Sequence, residues 1–175
     1  MRKFTVILFA LFLIFSGYLS AEPAKSVTKA KDFTLVNLKG EKVSLKDFQG
    51  KKVVLLNFFA TWCPSCREEI PILNKLYPEY KEKNVEFIGI DLRESKGKVS
   101  TFVEKLKISY PVLLDLKGEA GNLYKAAYIP LNVIIDRNGV IRFIGSFLEE
   151  KDLRKELDKI VPLKKEKLQK SGGKQ

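Results

Sequence analysis

The sequence contains no histidine and only two cysteines among its 175 residues. A structural zinc site needs four cysteine or histidine ligands, so this chain cannot complete one by itself. A copper-chaperone site is disfavoured because it usually includes a distant histidine. The sequence also lacks a basic helix with interleaved aromatic residues, so nucleic acid is not expected as a partner. No metal, other cofactor or internal repeat is predicted.

The first 21 residues have the pattern of a targeting segment. Arg2 and Lys3 precede an apolar run, and small residues follow it up to Ala21, as in an export signal. The apolar span of residues 4–19 has 16 residues, just short of the ~17–25 of a membrane-spanning helix. Residues 1–21 are therefore predicted to be a signal peptide or an N-terminal membrane anchor. Either one places the remaining chain outside the cytoplasm, in the periplasm or on the outer face of the membrane, where disulfides persist.

The remaining chain divides into three parts. Residues 22–31 are polar and predict a linker. Residues 32–161 predict one domain, since the 154 residues left after removing 21 from 175 are enough for a single sizeable core. Residues 162–175 are rich in lysine and predict a basic disordered tail, whose contact with anionic lipid stays open. The net charge falls from +11 to +9 without the first segment, which carries two basic residues and no acidic one.

Apolar and turn patterns predict alternating strands and helices. Strands are expected at 33–36, 42–45, 52–59, 85–90, 111–115, 130–136 and 140–145, and helices from 64 onward and at 98–106, 119–127 and 149–160. The fold class is therefore α/β: a three-layer domain with a central mixed sheet flanked by helices and an extra N-terminal β-hairpin. Pro71 is expected to kink the first long helix, and Pro78 either to kink or to end it.

The stretch from Val53 to Glu69 organises the chain. It begins as an apolar run that suits a strand buried on both faces, and it continues into Cys63-Pro64-Ser65-Cys66. Proline is tolerated in the first turn of a helix, so this motif predicts a helix that starts at Cys63. The helix N-terminus stabilises a thiolate there.

Three interpretations of the cysteine pair compete. A structural disulfide is disfavoured, because a four-residue loop constrains the unfolded chain least. Half of a zinc site is disfavoured by the missing ligands. A redox-active dithiol is favoured, because Cys-x-x-Cys after a buried strand is typical of one.

These residues carry a specific resemblance. The block Trp62-Cys63-Pro64-Ser65-Cys66, Pro71 and the dipeptide Ile129-Pro130 resemble the thioredoxin-fold oxidoreductases. The finer match is to the exported TlpA/ResA/CcmG group of thiol–disulfide oxidoreductases, and it runs from about residue 32 to residue 160. This group differs from ordinary thioredoxin in three features found here: Asn57 in place of a buried aspartate, Glu69 three residues after Cys66, and the extra hairpin.

The resemblance implies roles for the site residues. Cys63 would attack a substrate disulfide, and Cys66 would resolve the mixed disulfide. Glu69 would tune the protonation of Cys66, although a glutamate on a charged helix is equally well read as a solvated surface residue.

The resemblance also implies a substrate-binding face. Pro130 is expected to be cis and to pack against the disulfide, and Ile129 to offer its backbone to the substrate. An ordinary trans proline entering an edge strand is the alternative for Pro130. Trp62 and Pro64 complete this face, with core packing as the alternative for Trp62. The segment before Pro130 is more apolar than is usual in the group.

Function and partners follow as expectations. The chain is predicted to be a monomeric enzyme that reduces disulfides in exported proteins, with apocytochrome c as a candidate substrate and a membrane thiol-reductant as electron donor. A thiol peroxidase of the peroxiredoxin type is an alternative, but its Pro-x-x-x-Thr-x-x-Cys pattern is not matched, since Thr61 lies only two residues before Cys63. A disulfide-forming oxidant is a further alternative, because the direction depends on the redox potential.

Overall fold

The structure is a computed structural model that describes residues 28–161. The predicted signal segment or anchor, most of the linker and all of the basic tail lie outside the described residues.

Within these residues, seven strands form one mixed sheet. They are β1 (Thr34–Asn37), β2 (Lys42–Ser44), β3 (Val53–Phe59), β4 (Val85–Leu92), β5 (Val112–Asp115), β6 (Leu131–Ile135) and β7 (Ile141–Gly145), in the spatial order β2-β1-β5-β4-β3-β6-β7. Strands β3, β4 and β5 pair in parallel, and every other neighbouring pair is antiparallel. The predicted mixed sheet and the extra N-terminal hairpin are confirmed.

Four α-helices cover the sheet in the described part of the chain. They are α1 (Pro64–Glu82), α2 (Lys96–Leu106), α3 (Glu119–Leu123) and α4 (Glu150–Asp158), and a 3₁₀ helix (Leu45–Phe48) follows β2. Between residues 28 and 161, no helix combines the length and apolar character needed to cross a membrane.

Helix α1 continues through both of its prolines. It extends beyond Pro78 to Glu82, so of the two alternatives for this proline, ending the helix is wrong. The predicted apolar face explains the continuity, because its burial outweighs the missing backbone hydrogen bonds. All five of its residues are buried: Ile70, Leu73, Leu76, Tyr77 and Tyr80.

Helix α3 is shorter than predicted, ending at Leu123 rather than at Ala127. Lys125 adopts a left-handed conformation with φ 54°. The N–H of Ala126 then donates to the Gly121 carbonyl, and that of Lys125 to the Asn122 carbonyl. This pattern closes a helix C-terminus, and it directs the chain toward Pro130.

The core lies on both faces of the sheet, because successive side chains of a strand point to opposite sides. Val54, Leu56 and Phe58 pack in a cluster that includes Ala120 of α3. Val53 and Leu55 pack with residues of α1 and α4, and the α2 residues belong to a third cluster that contains Phe59 and both cysteines. The predicted three-layer arrangement is confirmed.

The chain enters the fold beside β7. The N–H of Ala30 donates to the Gly139 carbonyl at 2.9 Å, and the N–H of Ile141 donates to the Thr28 carbonyl at 2.9 Å. These contacts lie at the turn between β6 and β7. Because β6 runs antiparallel to β3, with Ile135 opposite Val54, that turn lies at the N-terminal end of β3.

Candidate active site

The two cysteines form a disulfide at the start of α1, with their Cα atoms 5.3 Å apart. Cys63 is the N-cap residue, and its Sγ accepts a hydrogen bond from the backbone N–H of Cys66 at 3.2 Å. The two residues are exposed by only 3% and 1%, so both are buried and Cys63 is only slightly the more exposed. The position of Cys63 favours a thiolate after reduction, because it lies at a helix N-terminus and the N–H of Cys66 points at its sulfur.

The peptide bond between Ile129 and Pro130 is cis, as the resemblance implied. The carbonyl oxygen of Ile129 lies 3.7 Å from Cys63 Sγ. Pro130 is buried and Ile129 is half-buried. Pro130 leads into β6, which pairs with β3, so adjacent strands bring these two distant segments together.

Exposed aromatic residues border the disulfide along the chain. Trp62 precedes Cys63 and is 64% exposed, whereas Tyr128 precedes Ile129 and is 55% exposed. Core packing, the alternative considered for Trp62, is therefore wrong. Pro64 is also exposed. Trp62 lines a cleft of about 720 Å³ together with residues of α3 and the segment after it.

Glu69 is buried, with 1% of its surface exposed, so the solvated-surface interpretation is wrong. Its Oε2 accepts a hydrogen bond from Asn57 Nδ2 at 2.8 Å. Its Oε1 accepts from Asn132 Nδ2 at 2.7 Å and from the backbone N–H of Leu148 at 2.8 Å. Asn57 Nδ2 also donates to Asn132 Oδ1 at 2.9 Å. The network thus joins α1, β3, β6 and the segment before α4.

Burial raises the pKa of Glu69 above its ordinary value, and the hydrogen bonds from Leu148, Asn132 and Asn57 oppose part of this shift. The carboxyl group therefore retains a proton to higher pH than an exposed glutamate. Because it lies three residues after Cys66 on the same helix, Glu69 is a candidate for exchanging a proton with the Cys66 thiol.

A second buried carboxylate, not identified from the sequence, holds the turn before Cys63. Thr61 donates to Glu94 from its backbone N–H at 2.5 Å and from its Oγ1 at 2.9 Å. Arg67 Nε and Nη2 both donate to the Thr61 carbonyl, at 2.9 and 2.6 Å. Asp91 lies next to Glu94 and is fully buried. The acidic residues Asp91 and Glu94, at and just after the end of β4, are visible in the sequence. Nothing in the sequence indicates that Glu94 reaches this turn.

The chain is similar to known proteins in sequence and in fold. Residues 27–144 match the AhpC/TSA family. The chain is 40% identical over 153 residues to the thiol-disulfide oxidoreductase ResA of Bacillus cereus, covering 86% of this chain and 88% of the relative. It is 34% identical over 153 residues to ResA of Geobacillus kaustophilus, covering 86% and 87%.

The chain belongs to the AhpC/TSA family and, more specifically, to the ResA-type thiol–disulfide oxidoreductases. The fold agrees with this family. The solution structure of a thiol:disulfide interchange protein from Bacteroides sp. matches with a TM-score of 0.71 and 28% identity, covering 81% of this chain and 93% of that one. A crystal structure of a thiol:disulfide interchange protein of the thioredoxin family from Chlorobium tepidum matches with a TM-score of 0.71 and 26% identity, covering 79% and 99%. The predicted family, thioredoxin-like fold and enzyme class are thereby confirmed.

Proposed function

We propose that this ResA-type enzyme works outside the cytoplasm and reduces disulfides of exported proteins through the Cys63–Cys66 pair. One observation carries the proposal: Cys63 Sγ accepts a hydrogen bond from the backbone N–H of Cys66 at 3.2 Å and lies 3.7 Å from the Ile129 carbonyl oxygen. A sulfur in this position combines a stabilised thiolate with an adjacent backbone that can pair with a substrate chain.

In the proposed reaction, the Cys63 thiolate attacks one sulfur of a substrate disulfide, and the other substrate sulfur leaves as a thiolate. A mixed disulfide then joins Cys63 to the substrate. Cys66 loses its proton and attacks the Cys63 sulfur, which releases the second substrate thiolate and restores the Cys63–Cys66 disulfide. Two electrons pass from the enzyme to the substrate. We assign to Glu69 the tuning of the Cys66 proton, because it holds a buried carboxyl group with a raised pKa on the same helix.

The substrate-binding face is assigned to the residues that border the disulfide. The Ile129 backbone would pair with the substrate chain, next to cis-Pro130. Exposed Trp62 and Pro64 would contact its side chains, and Tyr128 extends this apolar border. A protein chain fits this border better than a small polar thiol does, because exposed aromatic side chains supply large apolar contact area.

The proposed location rests on the export-type N-terminal sequence and on the ResA-type relatives. Reduction in an oxidising compartment needs electrons from elsewhere, so a membrane thiol-reductant is the proposed donor. Apocytochrome c, with the two cysteines of its Cys-x-x-Cys-His motif joined as a disulfide, is the proposed substrate, and a monomer is the proposed state.

The test uses serine variants of each cysteine in an insulin-reduction assay with dithiothreitol. Cys63→Ser should abolish catalysed reduction, whereas Cys66→Ser should accumulate mixed disulfides, which identify the natural substrate after capture from an extracytoplasmic fraction. The variant with both cysteines replaced controls for non-covalent capture. Full activity in Cys63→Ser would disprove its assignment as the nucleophile.

The match to the AhpC/TSA family favours one second candidate, a thiol peroxidase. Peroxide consumption by the reduced protein would support it, and inactivity toward peroxide with activity toward insulin would exclude it. The midpoint potential separates a reductant from an oxidant: a value of about −270 mV supports reduction, and one of about −120 mV supports disulfide formation.

A further inference from the structure

Thr61 is held at all three of its polar groups. Its N–H and hydroxyl both donate to the Glu94 carboxylate, and its carbonyl accepts two hydrogen bonds from Arg67. Thr61 directly precedes Trp62, which precedes Cys63. The Glu94 carboxylate therefore fixes the backbone from which the redox site and its exposed aromatic side chain extend.

Asp91 lies behind this contact. It is near the end of β4, opposite Phe59 of β3, and none of its surface is exposed. Its Oδ1 accepts a hydrogen bond from the backbone N–H of Glu94 at 3.2 Å. Its Oδ2 is buried and has no hydrogen-bond partner among the described residues if both carboxyl groups are ionised. A proton on Asp91 removes this mismatch, because the hydroxyl can donate to the neighbouring carboxylate.

Burial and the neighbouring groups favour a proton on Asp91 and an ionised Glu94. Burial and then the hydrogen bond to Glu94 raise the pKa of Asp91 from 3.8 to about 8. Burial acts in the same direction on Glu94, but hydrogen bonds from Lys98 and Thr61 outweigh it and hold the pKa of Glu94 below its ordinary value. The pair thus carries one proton near neutral pH, on Asp91.

The surrounding elements supply four further charged groups. Lys98 on α2 forms an ion pair with Glu94, and Arg67 on α1 reaches the same turn through Thr61. Arg93 lines the same cleft as Glu94 and Lys98. Asp115, at the end of the neighbouring strand β5, has both oxygens occupied by backbone N–H groups of α3.

We propose that Asp91 is a positioning residue for the turn that carries Cys63. In its protonated form it donates to Glu94 and keeps that carboxylate against Thr61. Loss of the proton places two negative charges side by side, which pushes Glu94 away and loosens the turn. The position of Trp62 and the reactivity of the disulfide then respond to pH. This inference rests on the proposed redox role of the Cys63–Cys66 pair.

The test follows the fluorescence of the oxidised full chain over about two pH units on either side of about 8. Trp62 is the single tryptophan, and the disulfide prevents the cysteines from titrating, so the signal reports on this turn. We expect a fluorescence transition in the wild type. Asp91→Asn should remove the transition and keep the low-pH spectrum, because an amide donates to Glu94 at every pH.

A second readout links the turn to chemistry. Dithiothreitol reduces the disulfide of the wild type and of Asp91→Asn at measurable rates. The ratio of the two rates at the same pH should be constant below the transition and change through it. Glu94→Gln should also lose the transition, because it removes the partner charge. Glu104→Gln, an exposed carboxylate on α2, is the matched control and should keep the transition.

Absence of a fluorescence transition in the wild type would overturn the proposal. This measurement does not depend on the folding of any variant. Retention of the transition in Asp91→Asn would also overturn it. Failure of the proposed function has a different signature: the disulfide would not titrate reversibly at any pH, while the Trp62 transition would still be present.

Discussion

Asn57 offers a direct electrostatic test of the buried network around Glu69. Its Nδ2 donates to Glu69 Oε2 at 2.8 Å and to Asn132 Oδ1 at 2.9 Å. Asn57→Asp replaces this donor by an oxygen with almost no change in volume, so two carboxyl groups would face each other in a buried site. Two such groups cannot both ionise without strong repulsion, and the pair therefore retains a proton.

The retained proton determines the sign and the size of the change in the free energy of unfolding with pH. The folded variant holds one more proton than the unfolded chain from about pH 4, where a free aspartate titrates, up to the raised pKa of the pair. Its free energy of unfolding therefore falls as pH rises, by about 1.4 kcal/mol per pH unit. With a folded pKa above about 7, the variant's own loss between about pH 4 and about pH 7 reaches roughly 4 kcal/mol, and the loss relative to the wild type is smaller by whatever the wild type itself loses.

The assay is urea denaturation of the wild type and Asn57→Asp at several pH values in this range. The wild type is measured at each pH, because the raised pKa of Glu69 already lowers its stability in the same direction. Asn122→Asp, at an exposed position of α3, is the matched control and should show a roughly constant difference within about 0.5 kcal/mol. A difference for Asn57→Asp that does not grow with pH would refute the reasoning.

Two further predictions concern the packed pair Tyr77 and Tyr110 and the exposed side chain of Trp62 beside the disulfide. Within residues 28–161, the buried Tyr110 hydroxyl has no hydrogen-bond partner, so Tyr110→Phe should leave the free energy of unfolding unchanged or raise it by about 1 kcal/mol. The Tyr77 hydroxyl donates to Glu86 at 2.6 Å, so Tyr77→Phe should lower it by about 1.5–3 kcal/mol; equal losses in the two variants, measured by urea denaturation, would contradict this. Trp62→Ala should raise KM for a protein disulfide and leave the rate with a small disulfide unchanged, whereas Ile144→Ala, exposed on the edge strand β7, should alter neither; equal loss with both substrates would argue against a docking role.

Much of the fold could be predicted because its signals are local. The apolar run that forms β3 and the helical spacing of the buried residues of α1 are visible within a single window of sequence. Both elements appear where they were expected. The cis bond before Pro130 could be anticipated only through the resemblance, since spacing alone does not distinguish it from an ordinary proline at the start of a strand.

The carboxylates of the site could not be placed in the same way. Glu69 lies on a helix rich in charged residues, and its burial depends on partners as distant along the chain as Asn132 and Leu148. Glu94 likewise reaches Thr61 across 33 positions of sequence. Such side chains are stabilised by tertiary hydrogen bonds, which leave no periodic pattern in the sequence.

The contacts of Thr28 and Ala30 with the β6–β7 turn determine how the enzyme can be oriented. The disulfide follows the C-terminal end of β3, whereas this turn lies at the N-terminal end of β3, a separation of seven strand residues, or roughly 23 Å. Whatever precedes residue 28 is therefore attached at the pole remote from the redox site. A tether to a surface at that pole would leave the disulfide facing outward, open to partners approaching from the surrounding solution.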